Sequence, residues 1–182
     1  MPAVEPRRSV LALPGSIRRG SYNRLLAAAA VELAPPDMTV QVHADLSSIP
    51  LFSEDLERED LPVSVLRLRD DVASASGLLI ATPEYNQSIP GVLKNAIDWL
   101  SRTDVLVGKP VAIIGATTGR WGTRLAQAAL RQVLHATGSM VLPGPALFAA
   151  EAESLFDSAG RLIDPATRAT LAAIMAGFTP QA

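Results

Sequence analysis

Five short apolar runs, each separated from the next by a longer segment with helical periodicity, constrain this chain more than any other feature. The runs are residues 9–13, 39–43, 77–81, 111–115 and a fifth beginning at 140–142. The segments at about 21–33, 62–75, 91–102 and 123–136 carry apolar residues at helical spacing, and a last helix opens at Asp164 or Pro165 and ends near Gly177. Val65, Leu66, Leu68 and Val72 recur along the second of these helices. Val92, Leu93, Ala96, Ile97 and Leu100 share one face of the third. Pro35 and Pro36 stop the first. Residues 77–81 and 111–115 are continuously apolar, as expected for strands covered on both faces.

The order is therefore βαβαβαβαβα. Crossovers between parallel strands are right-handed, so the pattern predicts an α/β doubly wound sandwich: a five-stranded parallel sheet, order 2-1-3-4-5, with helices on both faces. This is the flavodoxin-like arrangement. The whole chain, 1–182, reads as one domain, with 1–7 and 179–182 flexible. Its length allows a sizeable core, and its 48% hydrophobic and 19% charged residues mark it as globular. Residues 44–61 read as irregular, with the acidic stretch Glu54 to Asp60 a solvated loop or a contact to a second subunit.

In such a sheet, ligands bind beyond the carboxyl ends of the strands, where the strand order reverses. That rule brings together three loops: 14–23, 82–90 and 116–122. The first contains Gly15-Ser16-Ile17-Arg18-Arg19-Gly20-Ser21-Tyr22-Asn23 between a strand and a helix. Backbone N–H groups and the dipole at a helix N-terminus favour an anion. Ser16 and Ser21 add hydroxyl donors, Arg18 adds charge and Asn23 an amide. An ordinary strand-to-helix turn with Ser21 as N-cap fits the same residues.

Two commoner phosphate loops do not fit. The dinucleotide fingerprint needs glycine two positions after the first, where Ile17 stands. Gly15 and Gly20 have the Walker A spacing, but Ser21 replaces its lysine. A dehydrogenase with tightly bound NAD and a nucleoside triphosphatase are thus disfavoured, and a mononucleotide phosphate is the better match.

The second loop, Thr82-Pro83-Glu84-Tyr85-Asn86-Gln87-Ser88-Ile89-Pro90-Gly91, is stiffened by two prolines. Tyr85 offers a ring to a planar ligand, and Asn86 both donates and accepts. Alternatively, Asn86 and Ser88 simply satisfy turn amides. Glu84 is solvated or ion-paired unless some neighbour makes it a base.

Net charge is −2, which offers no electrostatic footprint for nucleic acid. The absence of cysteine excludes disulfides, thiolate metal sites and a cysteine nucleophile. His43 and His135, the two histidines, lack companions at metal-ligand spacing. No apolar run approaches bilayer length, and residues 1–8 lack a signal-peptide core, so a cytoplasmic location is expected.

The motif Gly15-Ser16-Ile17-Arg18-x-x-Ser21-x-Asn23 resembles one in the NADPH-dependent FMN reductase family. So does Pro83-Glu84-Tyr85-Asn86-x-Ser88-x-Pro90-Gly91-x-Leu93-Lys94-Asn95-Ala96-Ile97-Asp98-Trp99. Ile49-Pro50-Leu51-Phe52-x-Glu54-Asp55 and Gly108-Lys109-Pro110-Val111 are similar to the pattern of the same family, which includes chromate, quinone and azo reductases. The resemblance implies bound FMN, with NADPH or NADH as electron donor and a small-molecule acceptor: a quinone, azo compound, chromate or free flavin. It implies that Ser16, Arg18, Ser21 and Asn23 surround the FMN phosphate. It further implies that Pro83, Glu84, Tyr85, Asn86 and Ser88 line the ring and ribityl chain, and that Thr117, Thr118 and Gly119 close the other side. Arg120 and Trp121 depart from the family's third loop. The resemblance also implies a homodimer or a tetramer built from dimers, with the helix bearing Trp99 at the interface. The helix after the third loop has Ala126, Ala128 and Ala129 where some chromate-reducing relatives carry a tyrosine.

On this reading the flavin carries the electrons and no side chain acts as a catalytic triad or metal ligand. Arg19 and Arg120 are candidates for the extra phosphate of NADPH. Two other functions share these loops: a non-enzymatic flavin electron carrier, and a nucleotide-binding regulatory module without redox chemistry.

Overall fold

The computed structural model describes residues 8–178, so the ends read above as flexible, 1–7 and 179–182, lie outside the described residues. Strand β1 (Arg8–Pro14) lies inside a parallel sheet ordered β2-β1-β3-β4-β5. It pairs on one side with β2 (Met38–Val42), from Arg8 opposite Met38 to Ala12 opposite Val42. On the other it pairs with β3 (Gly77–Ala81), from Val10 opposite Gly77 to Pro14 opposite Ala81. Strand β4 (Pro110–Ala116) follows β3, with Leu78 opposite Val111. The chain crosses from one side of β1 to the other between β2 and β3, which is the reversal that opens a crevice at the carboxyl ends.

The fifth strand differs from the sequence expectation. It is divided into β5 (Met140–Val141), beside Pro110 and Val111, and β6 (Leu147–Ala149), beside Ile114 to Ala116. Both lie along the edge of β4 that β3 leaves free. Between them stands Pro143-Gly144-Pro145. Proline has no N–H to give to a ladder, so pairing lapses there and resumes later. The sheet thus has six strands in five positions.

Helices α1 (Tyr22–Glu32) and α6 (Pro165–Ala176) cover one face. Between them in sequence lie α2 (Glu54–Glu59), α3 (Val63–Ser74), α4 (Gly91–Leu100) and α5 (Arg124–Ala136). Of these, α3, α4 and α5 cover the other face. The period-two geometry of β1 splits its side chains between the layers: Val10 and Ala12 enter the α1 side, Leu11 and Leu13 the other.

Helix α2 replaces the loop expected at the acidic stretch. Ser53 caps it by accepting from the Asp55 N–H at 3.2 Å, and Glu54 and Asp55 suit the positive end of its dipole. Glu57 bridges Arg102 at 2.8 Å and Arg69 at 3.5 Å, so part of that acidity is balanced within the chain. Trp99 is fully buried. Its indole N–H donates to the Pro50 carbonyl at 2.8 Å, and its ring meets Phe52 edge-on at 5.0 Å. Asn95, one turn earlier, accepts from the Phe52 N–H at 2.7 Å and donates to Pro50 at 2.9 Å. Asn95 and Trp99 of α4 therefore fasten the 49–52 loop.

Candidate functional site

The first loop begins where β1 stops. The Gly15 N–H donates to the Ala81 carbonyl at 2.8 Å, which sets the loop against the end of β3. A Cβ on Gly15 would stand 3.0 Å from Leu93 Cδ2, so the bare residue lets the backbone lie close to α4. Ser21 is the N-cap of α1, and its Oγ accepts from the Asn23 N–H at 3.2 Å, leaving its own O–H free to donate. In the first turn of α1 the Arg24 N–H donates to the Ser21 carbonyl at 3.0 Å, so the positive end of the helix and the Tyr22 N–H are what remain to face an anion. Ser16 is buried and its Oγ accepts from the Arg18 N–H at 3.4 Å. The Arg18 guanidinium lies 5.7 Å from the centre of the Tyr22 ring.

These groups open onto a cleft of about 270 Å³. From the first loop it is lined by Ser16, Arg18, Ser21 and Asn23; from the second by Pro83, Glu84 and Tyr85; from the third by Thr117 and Thr118. Tyr22 and Ala116 line it in addition to the residues expected from sequence. Asn86, Ser88 and Gly119 are not among the lining residues.

Asn86 and Ser88 belong instead to a tight turn. Tyr85 and Ser88 exchange two backbone hydrogen bonds of 3.0 Å, and Asn86 and Gln87 both have positive φ, 50° and 63°. That is the backbone of a primed hairpin turn, and asparagine tolerates it better than most residues. The turn holds the Tyr85 ring at the cleft, where its hydroxyl is 3.5 Å from Ser16 Oγ.

Asn23 is committed differently from the expected phosphate contact. Its side-chain NH2 donates to the Ala116 carbonyl and its Oδ1 accepts from the Ala116 N–H, both at 2.9 Å. The residue is only 2% exposed. It therefore fastens the start of α1 to the end of β4. Glu84 is equally engaged: its Oε2 accepts from the Leu125 and Ala126 N–H groups at 2.9 and 3.0 Å. Arg24, which carries no motif signal, ties the first loop to the end of β2. It donates to the Ser16 carbonyl at 3.3 Å and to Ala44 at 2.7 Å, and lies 3.5 Å from Asp45. The Ser47 hydroxyl and N–H, and then Arg24, hold the Asp45 carboxyl below its usual range.

The third loop leans on β6. The Thr117 N–H donates to Ala149, and Thr117 in turn accepts from Ala152. Gly122 has φ +70°, and a Cβ there would come within 2.8 Å of Phe148 Cβ. Only glycine satisfies both demands. The Arg120 guanidinium sits 4.9 Å from the Trp121 ring, which is 68% exposed.

A larger opening of about 420 Å³ lies between the end of β2 and the start of α3. His43 and Asp71 form a 3.3 Å pair there. It lies at the outer strand β2, away from the reversal between β1 and β3, so size alone does not make it the better ligand site. Among the described residues, no three His, Cys, Asp or Glu side chains are grouped to hold a metal ion. Nor is any helix among them long and apolar enough to cross a membrane.

The smaller cleft has the chemistry of a phosphate seat joined to the edge of a flat, polar ring. Hydroxyls, a guanidinium and a helix N-terminus line it together with Pro83, Tyr85 and Thr117. The family model described as NADPH-dependent FMN reductase matches residues 8–154. This chain belongs to that family. The fold is flavodoxin-like, and the relatives' names describe NAD(P)H-dependent FMN reductases and quinone reductases. An NAD(P)H-dependent FMN reductase from Pseudomonas aeruginosa is 46% identical over 161 residues, covering 87% of this chain and 86% of that protein. A quinone reductase from Escherichia coli is 38% identical, covering 90% and 89%. Among solved structures, the flavoenzyme NAD(P)H:(acceptor) oxidoreductase FerB from Paracoccus denitrificans superposes with a TM-score of 0.85 at 33% identity, covering 94% of each chain.

Proposed function

We propose that this protein is a single-domain FMN-dependent NAD(P)H oxidoreductase that reduces a small acceptor of the quinone class. The observation that carries the reading is the convergence of Ser16, Arg18 and Ser21 with the N-terminus of α1, next to Pro83–Tyr85 and Thr117–Thr118, at the carboxyl ends of β1, β3 and β4. The phosphate of FMN would take the first group, by charge-assisted hydrogen bonds from Arg18 and hydroxyl and backbone donors. Its ring would lie between the second and third loops. Asn86, Ser88 and Gly119 would act from the rim. FMN, when bound, takes a hydride equivalent from the nicotinamide and delivers two electrons to the acceptor.

The chain's own residues bind, orient and exclude water. The rigid Pro83–Pro90 loop keeps its shape without a ligand, which limits the entropy lost on binding. Tyr85, half exposed, lines the cleft, which would take donor and acceptor in turn. Such sharing predicts ping-pong kinetics.

A homodimer, or a tetramer of dimers, accounts for the apolar side chains left in solvent around the mouth, among them Trp121 and Leu125. Sedimentation would measure the assembly. A cytoplasmic location fits a cysteine-free chain fed by NADPH, and cell fractionation would test it.

The deciding experiment is a visible spectrum of protein plus FMN before and after anaerobic NADPH or NADH. Failure to bind FMN would end the reading. Binding without bleaching would favour an electron carrier. Bleaching followed by recolouring on addition of a quinone would support the reductase.

A further inference from the structure

We infer that Glu84 is a positioning residue that locks the second loop to helix α5, so setting the width of the flavin slot. The inference rests on the FMN reading above and adds to it. Helix α5 is not capped by its own sequence. Its N-cap residue, Thr123, makes no side-chain cap hydrogen bond; the Thr123 Oγ1 accepts instead from Gln127 Nε2 at 3.0 Å. The first turn of α5 contains no acidic residue. The missing acceptor and the missing negative charge both arrive from elsewhere in the chain. Oε2 of Glu84 takes the Leu125 and Ala126 N–H groups at 2.9 and 3.0 Å, across 41 and 42 residues of sequence. A carboxylate at a helix N-terminus satisfies orphan donors and complements the dipole at once.

The consequence lies in what each end of this bond carries. Glu84 stands between Pro83 and Tyr85, which line one wall of the cleft. Helix α5 follows directly on the third loop, whose Thr117 and Thr118 line the facing wall. That loop is pinned on its far side, because Gly122 packs against Phe148. Thr123 also fills the hollow over Gly115, where any Cβ would stand 2.1 Å from its Oγ1. The Thr117–Thr118 wall is thus fixed to the sheet, and Glu84 fixes the Pro83–Tyr85 wall to it.

Three variants separate position from charge, read by FMN dissociation constant, by amide hydrogen exchange at Leu125 and Ala126 in the flavin-free protein, and by the potential of bound FMN. Glu84→Gln keeps an oxygen that can accept the same N–H groups but has no charge. Glu84→Asp keeps the charge and loses the reach. Glu84→Ala loses both. Positioning predicts faster exchange and about tenfold weaker FMN binding, the equivalent of one lost hydrogen bond, in the Ala and Asp variants. It predicts that the Gln variant, which keeps the acceptor, binds FMN more tightly and exchanges more slowly at Leu125 and Ala126 than the Asp variant. Should the Ala protein not fold, Asp against Gln still decides. The inference fails if Asp binds FMN as wild type does, if Gln is as weak as Asp, or if Gln shifts the potential while Asp does not. Wild-type protein that binds no FMN would instead overturn the functional reading itself.

Discussion

Replacing Asn23 with alanine tests whether its amide serves the fold or the ligand. In the structure both polar atoms of the side chain are paired with the backbone of Ala116, each at 2.9 Å, and both residues are buried. Alanine would leave one N–H and one C=O of Ala116 without partners. A buried polar group left unsatisfied costs about 1–3 kcal/mol, so the pair costs about 2–4 kcal/mol, the cleft letting some water in to soften the loss. For a chain of this size, each kcal/mol moves the melting temperature by roughly 2–4 °C, so the drop should be roughly 5–15 °C. Urea unfolding of the flavin-free protein, followed by circular dichroism, measures this without the cofactor. Asn23→Asp should be no rescue. It keeps an acceptor for the Ala116 N–H but sets a second oxygen against the Ala116 carbonyl. If flavin-free Asn23→Ala unfolds with wild-type stability while FMN binding falls, the amide serves the phosphate directly and the clamp argument is wrong.

Gly115→Ala should destabilise by about 3 kcal/mol, since overpacking against backbone is hard to relieve. The new Cβ would meet the Thr82 carbonyl at 2.4 Å as well as Thr123 Oγ1, and an unchanged urea midpoint would contradict this. Arg120→Ala and Arg19→Ala should raise KM for NADPH more than for NADH if these exposed guanidiniums meet the extra phosphate; equal effects on both donors would discard the idea. The Thr167 hydroxyl and N–H hold the Asp164 carboxyl below its usual value of 3.8 in the folded chain. The unfolded chain therefore takes up the proton first, so this stabilisation is present above the usual value and is lost as pH falls through the folded one. Asn at 164 keeps the cap but does not titrate. The stability gap between wild type and Asp164→Asn should shrink from pH 7 to pH 3, and a constant gap would refute the linkage.

Periodicity exposes what local sequence determines. The continuous apolar runs of β3 and β4 and the seams of α3 and α4 are readable because each residue's burial follows from its own element. The three loops were also legible, because the position of a ligand in a doubly wound sheet follows from strand order. Pairing across the chain is another matter. Nothing near Asn23 points to Ala116, 93 residues on, and nothing near Glu84 points to the start of α5. The family motif implies that both side chains meet the flavin, and in the structure both also make tertiary hydrogen bonds to distant backbone. The division of the fifth strand was hidden for a related reason. Pro143 and Pro145 are visible in sequence, but only the resumption of pairing at Leu147 shows that they interrupt a strand rather than end it. Helix α2 was obscured by its charge: six residues without a buried side chain leave no apolar stripe to detect.

The interrupted edge also bears on how copies of this protein behave in concentrated solution. An outermost strand with a long free row of amides and carbonyls is a template on which another chain can polymerise. Here that border offers two residues, then a proline-bounded arc, then three. Neither stretch is long enough to recruit a foreign strand in register, and the arc lacks the donors to join them. The sheet is closed to fibrillar growth on this side without an added helix or a charged fringe.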